Sequence, residues 1–248
     1  MPFSLVAYSE SQDSAALVYI AAVADPHVTV SGDDIYVPEL TQLSGFLFMG
    51  ANFSQGQIES PSLKAQNLID VEPGDGADEP ASPSNFHDLF DAPVPLARSE
   101  ALRTLMAEDG AGATRVSALL WLSDGPITPA RGKIITVRAT NGSTLVANAW
   151  TNGALTFSQT LPAGRYDIAG MRAESAGLRA ARLVIPGFPW RPGVPGFDAD
   201  GDLDVPRFRY GRAGVFGSFF HNEPPTVDFF SASADTSQVV WLDLIKVA

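Results

Sequence analysis

The sharpest chemical motif in the sequence is a run of alternating carboxylates, Asp198-Ala199-Asp200-Gly201-Asp202-Leu203-Asp204. Alternate carboxylates around a glycine can converge on one hard cation, because Ca²⁺ takes roughly six to eight oxygen ligands. The run is not an EF-hand, because the sixth and twelfth places hold Leu203 and Arg209 instead of Gly and Glu. We predict a structural Ca²⁺ site, with a solvated acidic turn as the alternative. Its ligands would be Asp198, Asp200, Asp202 and Asp204.

No other residue pattern indicates catalysis. The chain has no cysteine, which excludes a thiolate metal site and a cysteine nucleophile. His27, His87 and His221 share no ligand spacing, so we expect them at the surface or in turns. The sequence contains no Gly-x-Ser-x-Gly elbow, dinucleotide fingerprint or phosphate loop. We therefore predict that the protein is not an enzyme, the less favoured alternative being an all-β hydrolase with unidentified paired carboxylates.

The tryptophans divide into core and surface candidates. Trp121 and Trp241 lie within apolar runs, which favours packing in a core over a sugar-stacking platform. Trp190 lies between Pro189 and Pro192 in a loop. We predict that Trp190 is exposed and anchors a contact between subunits, because large aromatic side chains dominate the binding energy of protein interfaces.

Composition and charge limit the classes of protein. The 248 residues are 45% hydrophobic and 18% charged, which fits one large all-β domain or two smaller ones. The net charge of −12 is uneven, since residues 1–110 hold 3 Lys+Arg and 17 Asp+Glu, and residues 111–248 hold 13 and 11. The two parts thus carry −14 and +2. Such a chain does not wrap nucleic acid through its bulk surface. One part could face the other part of a neighbouring copy, unless the acidic loops serve only solubility.

Short apolar segments between Gly- and Pro-containing turns predict an all-β fold. The most prominent is Leu161–Gly187, read as a long hairpin around a turn at residues 174–177, although Leu178–Ile185 also has helical spacing. Between residues 133 and 159, the Asn-Gly pairs at 141–142 and 152–153 predict the turns of a three-stranded meander. The best helix candidate is Arg98–Glu108, with Ser99 as its cap. Ala15–Ala24 is read as a buried strand.

The order of features suggests an internal duplication. Gly45–Ile69 echoes Leu161–Gly187, and each is followed by a long loop, an aromatic run and a proline-bearing turn. We predict two tandem jelly-roll β-sandwiches with few short helices, residues 1–110 forming the first roll and residues 111–248 the second. The alternative is a single sandwich, because strands and turns recur at regular spacing in any all-β chain.

Four stretches carry a resemblance to a known family. They are LPAGRYDIAGMRAESAGLRAARLVIPG, RPGVPGFDADGD, FGSFFHNEPPTVDFF and DTSQVVWLDLIKV. With the tandem architecture, they resemble the double jelly-roll major capsid proteins of tailless, often membrane-containing, bacterial or archaeal viruses. The resemblance covers nearly the whole chain but includes no diagnostic motif.

The resemblance implies a structural role in the virion. It implies a homotrimer that forms pseudo-hexagonal units of an icosahedral shell, with lateral contacts to other capsid proteins such as a penton protein. Shells of this family often enclose an internal lipid membrane, and the sequence leaves open whether this one does. The resemblance also implies no direct sequence-specific nucleic-acid binding, and synthesis in the host cytoplasm before assembly. The alternative function is a Ca²⁺-dependent carbohydrate-binding or adhesin-like β-sandwich.

Overall fold

The computed structural model describes residues 3–37, 39–50, 53–66, 69–71, 86–108, 112–197 and 205–247. These residues are almost entirely in strands and loops, with a six-residue helix α1 (Pro61–Gln66) and a 3₁₀ turn at Pro206–Phe208. The predicted all-β class is confirmed. The chain divides into two compact units, the first roll (Val6–Gly125) and the second roll (Met1–Leu5 with Pro126–Ala248).

The first roll is a sandwich of two four-stranded sheets, with a small ribbon and one short extra strand. Its sandwich strands are β1 (Phe3–Gln12, whose first three residues belong to the second roll), β2 (Val18–Tyr19), β5 (Gln42–Gly50), β6 (Phe53–Glu59), β7 (Ile69–Val71), β8 (His87–Asp88), β10 (Arg103–Glu108) and β11 (Thr114–Ser123). The ribbon is β3 (Thr29–Ser31) with β4 (Asp34–Tyr36), and β9 (Val94–Pro95) pairs with β5. The sheets have the orders β1-β11-β5-β8 and β2-β10-β6-β7.

The second roll repeats this plan with its own eight strands. They are β12 (Ile134–Asn141), β13 (Trp150–Ala154), β15 (Arg165–Glu174), β16 (Leu178–Val184), β17 (Gly193–Phe197), β18 (Gly217–Phe220), β19 (Thr226–Ser231) and β20 (Gln238–Lys246). The short β14 (Thr156–Phe157) pairs with β12. Pairing gives the orders β12-β20-β15-β18 and β13-β19-β16-β17, and β17 also pairs in parallel with the end of β15.

The two rolls therefore have the same topology. Counted in chain order, the sandwich strands of each roll form one sheet in the order 1-8-3-6 and another in the order 2-7-4-5. This is the arrangement of a jelly roll, in which eight strands fold into two facing antiparallel sheets. The echo between Gly45–Ile69 and Leu161–Gly187 has a structural basis, because each stretch includes all or most of strand three and all of strand four of its roll.

The hairpin prediction for Leu161–Gly187 is wrong in its pairing. Both arms are strands, but β15 lies in one sheet of the sandwich and β16 in the other. The turn between them includes Gly177, whose φ of 66° is in the left-handed region. Because β16 is buried along nearly its whole length, its apolar side chains need another sheet to pack against. The turn therefore leads the chain across the sandwich.

The predicted meander is wrong for a related reason. Its first and last segments do pair, as β12 with β14, but the middle strand β13 pairs with β19 in the opposite sheet. Asn152 and Gly153 lie inside β13 rather than in a turn. The side-chain amide of Asn141 instead bridges the segment, since its Nδ2 donates a hydrogen bond to the carbonyl of Ala154 at 2.8 Å.

The helix predicted over Arg98–Glu108 is replaced by a turn and strand β10. Ser99 has a φ of 58°, which is incompatible with a right-handed helix. Strand β10 pairs on both sides, with β2 and with β6, so its backbone groups are satisfied by sheet partners distant in sequence. This strand is the seventh of its roll and corresponds to β19 in the second roll.

The division between the rolls also differs from the predicted one, falling after Gly125 instead of after residue 110. Strand β11 (Thr114–Ser123), which the predicted boundary assigned to the second roll, pairs with β5 and completes the first. Ala15–Ala24 is only partly the predicted buried strand, because β2 is two residues long and Ala15, Ala16 and Tyr19 are exposed.

Candidate interaction surface

The structure describes only one of the two predicted sites. Asp198, Asp200, Asp202 and Asp204 all lie outside the described residues, so the Ca²⁺ site stays a prediction. Trp190 is described and is partly rather than fully exposed. Trp121 is completely buried, as expected of a core residue, but Trp241, predicted to pack in a core as well, is only partly buried. Within the described ranges, no three or more His, Asp or Glu side chains are grouped so as to hold a metal ion.

Trp190 lines an open groove in the second roll, called here the Trp190 groove. One wall is the segment 186–190, and the other is formed by Val215 and strand β18, with Arg165 beside it. The groove has a volume of about 410 Å³. A smaller hollow of about 230 Å³ continues from it past Phe220 to Glu223, and the two share Arg165, Pro186 and Ser218.

The first wall is shaped by a tight turn. The backbone N–H of Phe188 donates to the carbonyl of Ile185 at 3.0 Å, and Gly187 has a φ of 72°. Glycine adopts this left-handed conformation without the steric cost that a Cβ brings. The guanidinium of Arg191 then donates from Nη1 to the carbonyls of Phe188, at 2.6 Å, and Trp190, at 3.0 Å. These bonds fix the backbone that carries both aromatic side chains.

The N-terminal residues Phe3–Leu5, which belong to the second roll, support both walls. The backbone N–H of Arg191 donates to Ser4 Oγ, and the N–H of Leu5 donates to the Arg191 carbonyl, both at 2.9 Å. The ring of Phe3 packs edge-on against Phe216, with centroids 5.0 Å apart, directly before β18. Residues at the chain start are therefore part of the framework of the groove.

The second wall of the groove is formed by the edge strand of a sheet. Strand β18 pairs with β15, and among the described strands this is its one partner. Arg165 is paired in register with Phe220, and its Nη2 donates to Ser218 Oγ at 3.2 Å. Phe220 has 55% of its surface exposed and is one of the few large apolar residues so open in the described chain. A positive charge and an exposed ring thus flank an edge strand.

Buried ion pairs stabilise the frame of the second roll. Asp243 on β20 is 0% exposed and accepts four hydrogen bonds, two of them from Arg209 at 2.9 and 3.1 Å. The others come from Thr136 Oγ1 at 2.6 Å and the backbone N–H of Tyr210 at 2.9 Å. Burial by itself raises the pKa of Asp243, but the hydrogen bonds from Arg209 and Thr136 outweigh it and leave the pKa below its ordinary value.

A second buried pair ties β16 to the N-terminal residues. Arg182 is completely buried and donates from Nε to Asp228 Oδ2 and from Nη1 to the Leu5 carbonyl, both at 3.1 Å. Its guanidinium carbon lies 4.0 Å from the centre of the Trp150 ring, the geometry of a cation–π contact. The buried charge of Arg182 is therefore compensated by a carboxylate, a carbonyl and an aromatic face.

The first roll contains an ion pair between strand β4 of the ribbon and strand β10. Arg103 forms a two-point contact with Asp34, and this hydrogen bonding lowers the pKa of the Asp34 carboxyl. Tyr8 is buried nearby, with its hydroxyl donating to the Leu102 carbonyl at 2.5 Å. Burial, and then the negative charge of Asp34, raise the pKa of the Tyr8 hydroxyl well above its ordinary value.

Sequence reasoning identified Trp190 but missed Arg165, Arg191 and Phe220. The Pro186-Gly187 pair indicated a turn, but nothing local showed that β18 would lie opposite it. No helix in the described chain has the length and hydrophobicity required to cross a bilayer.

The chain matches no protein-family model and no curated protein sequence. Among solved structures it is similar to the major capsid protein P2 from bacteriophage PM2, with 13% sequence identity. That comparison covers 99% of this chain and 98% of the other, at a TM-score of 0.28. A score this low does not establish a shared fold, so the architecture stated above rests on the strand order of this chain.

Proposed function

We propose that this protein is a structural subunit of a viral coat. The observation that carries the proposal is the repetition of one eight-strand jelly-roll order within a single chain. Jelly rolls recur in viral capsid domains, and also in lectins and cupins. The tandem arrangement favours the coat, because three chains would supply six rolls for a pseudo-hexagonal building unit.

The charge distribution supports a subunit that is soluble before assembly. The first roll has 18 Asp+Glu and 4 Lys+Arg, a charge of −14, whereas the second roll has 10 and 12, a charge of +2. A large net charge opposes non-specific association. The opposite signs of the two rolls allow specific contacts between copies, in which the potential of one surface complements that of the other.

In this proposal, the subunit is a homotrimer that makes lateral contacts in an icosahedral shell, together with a penton protein at special positions. The protein resides in the virion after synthesis in the host cytoplasm. The role is structural, with no chemical reaction and no direct sequence-specific contact to nucleic acid.

Mass measurement in solution tests the proposal. Sedimentation of the purified chain, at increasing concentration and low salt, is expected to give a species of about 79 kDa, three times the 26.3 kDa of one chain, followed by larger particles. Electron microscopy of the trimer is expected to show six lobes around the axis. A chain that stays monomeric and binds an oligosaccharide column until a chelator elutes it would replace the coat with a Ca²⁺-dependent lectin.

A further inference from the structure

We propose that the Trp190 groove is an interface that receives the acidic first roll of a second copy of this chain. The inference rests on the proposed self-assembly and specifies the surface, the occupant and the type of symmetry. Three features of the described residues carry it: an apolar groove, an open strand edge and complementary charge.

The apolar feature consists of Trp190 and Phe188, which line the groove, and Phe220, which lines the smaller hollow that continues it. Arg191 holds the backbone of Trp190 and Phe188 in place through their carbonyls, so little backbone entropy is lost when a partner covers their rings. Rigid aromatic side chains in a preformed hollow are the usual anchors of protein interfaces.

The strand edge adds main-chain recognition. Strand β18 borders the groove and pairs with β15 along one side. Proteins protect exposed edges by shortening them and by placing charges there, and β18 has only four residues with Arg165 beside them. Such an edge does not favour aggregation by pairing of strand edges. It can accept a short extended segment of a partner that also carries a negative charge opposite Arg165.

The net charges of the two rolls indicate which part of a second copy occupies the groove. The second roll, which contains the groove, carries +2, and the first roll carries −14. Arg165 is exposed in the groove, while Glu223 lies at the far end of the smaller hollow. Contact between two second rolls would bring like net charges together, whereas a first roll presents the opposite charge. The contact is therefore heterologous, and a heterologous contact that closes on itself gives a ring such as a trimer.

Cysteine labelling tests this contact directly, because the chain contains no cysteine of its own. Phe220→Cys introduces one thiol in the smaller hollow that continues the groove, called here the groove thiol, and Val146→Cys, at a residue 58% exposed in the same roll but outside both hollows, is the matched control. We expect maleimide to label the two variants equally as monomers. In the assembled fraction we expect labelling of the groove thiol to slow by roughly tenfold or more, and the control to remain reactive.

A photo-crosslinker attached to the groove thiol identifies the occupant. In assemblies mixed from ¹⁵N-labelled and unlabelled copies, we expect crosslinks between copies to fall within residues 6–125. Crosslinks to the second roll of the neighbour, or a disulfide between two groove thiols, would show an isologous contact and overturn the inference.

Charge reversal provides an independent readout. Arg165→Glu is expected to raise the concentration needed for assembly by roughly tenfold or more. Arg138→Glu, the same change at an exposed position on β12, is expected to leave it within about twofold. Circular dichroism confirms that both variants fold.

The outcomes separate the two proposals. If the wild-type chain assembles while the groove thiol stays reactive and Arg165→Glu assembles normally, the interface lies elsewhere and the coat function stands. If the wild-type chain remains monomeric under all conditions, the coat function fails and the interface fails with it.

Discussion

Replacing Asp243 by asparagine is expected to destabilise the second roll strongly. The substitution keeps the shape of the side chain but removes the negative charge that faces Arg209. It also places an N–H₂ group where one carboxylate oxygen now accepts hydrogen bonds. Because Arg209 is itself buried, its charge loses the one carboxylate that it contacts in an ion pair among the described residues.

The size of the effect follows from this burial. Removing one member of a buried, hydrogen-bonded ion pair typically costs about 3–5 kcal/mol. For a unit the size of this roll, that corresponds to a fall in melting temperature of roughly 10–20 °C. Differential scanning calorimetry of the full chain is the assay, with Glu223→Gln as the control, since Glu223 is exposed and the change in charge is the same. A loss below about 1 kcal/mol, or one equal to the control, would refute the reasoning.

The lowered pKa of Asp243 also predicts that the stability of the chain decreases at acidic pH. The pKa of Asp243 is lower in the folded than in the unfolded chain, so its contribution to stability is present above about pH 4 and is lost as the pH falls through the folded pKa. The wild-type melting temperature should therefore drop below about pH 4. Asp243→Asn should drop less steeply over the same range, and equal slopes would contradict the assignment.

Three further predictions concern other parts of the chain. Gly196→Ala on β17 would place a Cβ 2.5 Å from a backbone carbonyl oxygen, and we expect a loss of roughly 1–3 kcal/mol in urea denaturation. Gly142→Ala, with no atom within 4 Å of its Cβ, should change stability by less than about 0.5 kcal/mol. The raised pKa of Tyr8 means that its stabilising effect is present below about pH 10 and is lost as the pH rises through the folded pKa. In Tyr8→Phe, stability should therefore decrease less steeply at alkaline pH than in the wild-type chain. The same decrease in both would contradict the role of Tyr8. If the acidic loop binds Ca²⁺, the double substitution Asp200→Asn with Asp202→Asn should abolish any Ca²⁺-dependent rise in melting temperature; a wild-type chain that does not respond to Ca²⁺ would remove the site.

The sequence predicted the repeated architecture better than the pairing of its strands. The match between Gly45–Ile69 and Leu161–Gly187 was detectable because equivalent strands must bury similar apolar faces and turn at similar places. The aromatic runs further along correspond to β8 and β18, the sixth strand of each roll. Such patterns involve residues close together in the chain, so they can be recognised from the sequence.

Strand partners could not be read in the same way. Every residue except proline offers the same backbone donor and acceptor, so a strand carries no local label of its neighbour. The Asn-Gly pairs therefore suggested a meander, although β13 pairs with β19 more than 70 residues away in sequence. Strand β10 contains helix-forming residues, but two strands flank it and supply its hydrogen bonds. Tertiary pairing overrode local propensity at this position.

The candidate interface was also only partly predictable from the sequence. The sequence identified Trp190 as a surface aromatic between prolines, and it located the acidic excess in the first part of the chain. It did not show that Arg165 and Phe220 would lie beside the segment that carries Trp190, because β15 and β18 become neighbours only through sheet pairing.

By itself, the sequence determined the unequal charge of the two parts and predicted the all-β class and a repeated order of features, since each depends on composition or on the local period of apolar residues. The tertiary structure alone decided which strands are neighbours, where the first roll ends, and how residues distant in the chain form a groove. The physical reason is that jelly-roll pairing is long-range. Its specificity comes from the simultaneous burial of many apolar faces across a sandwich, and no single segment contains that information.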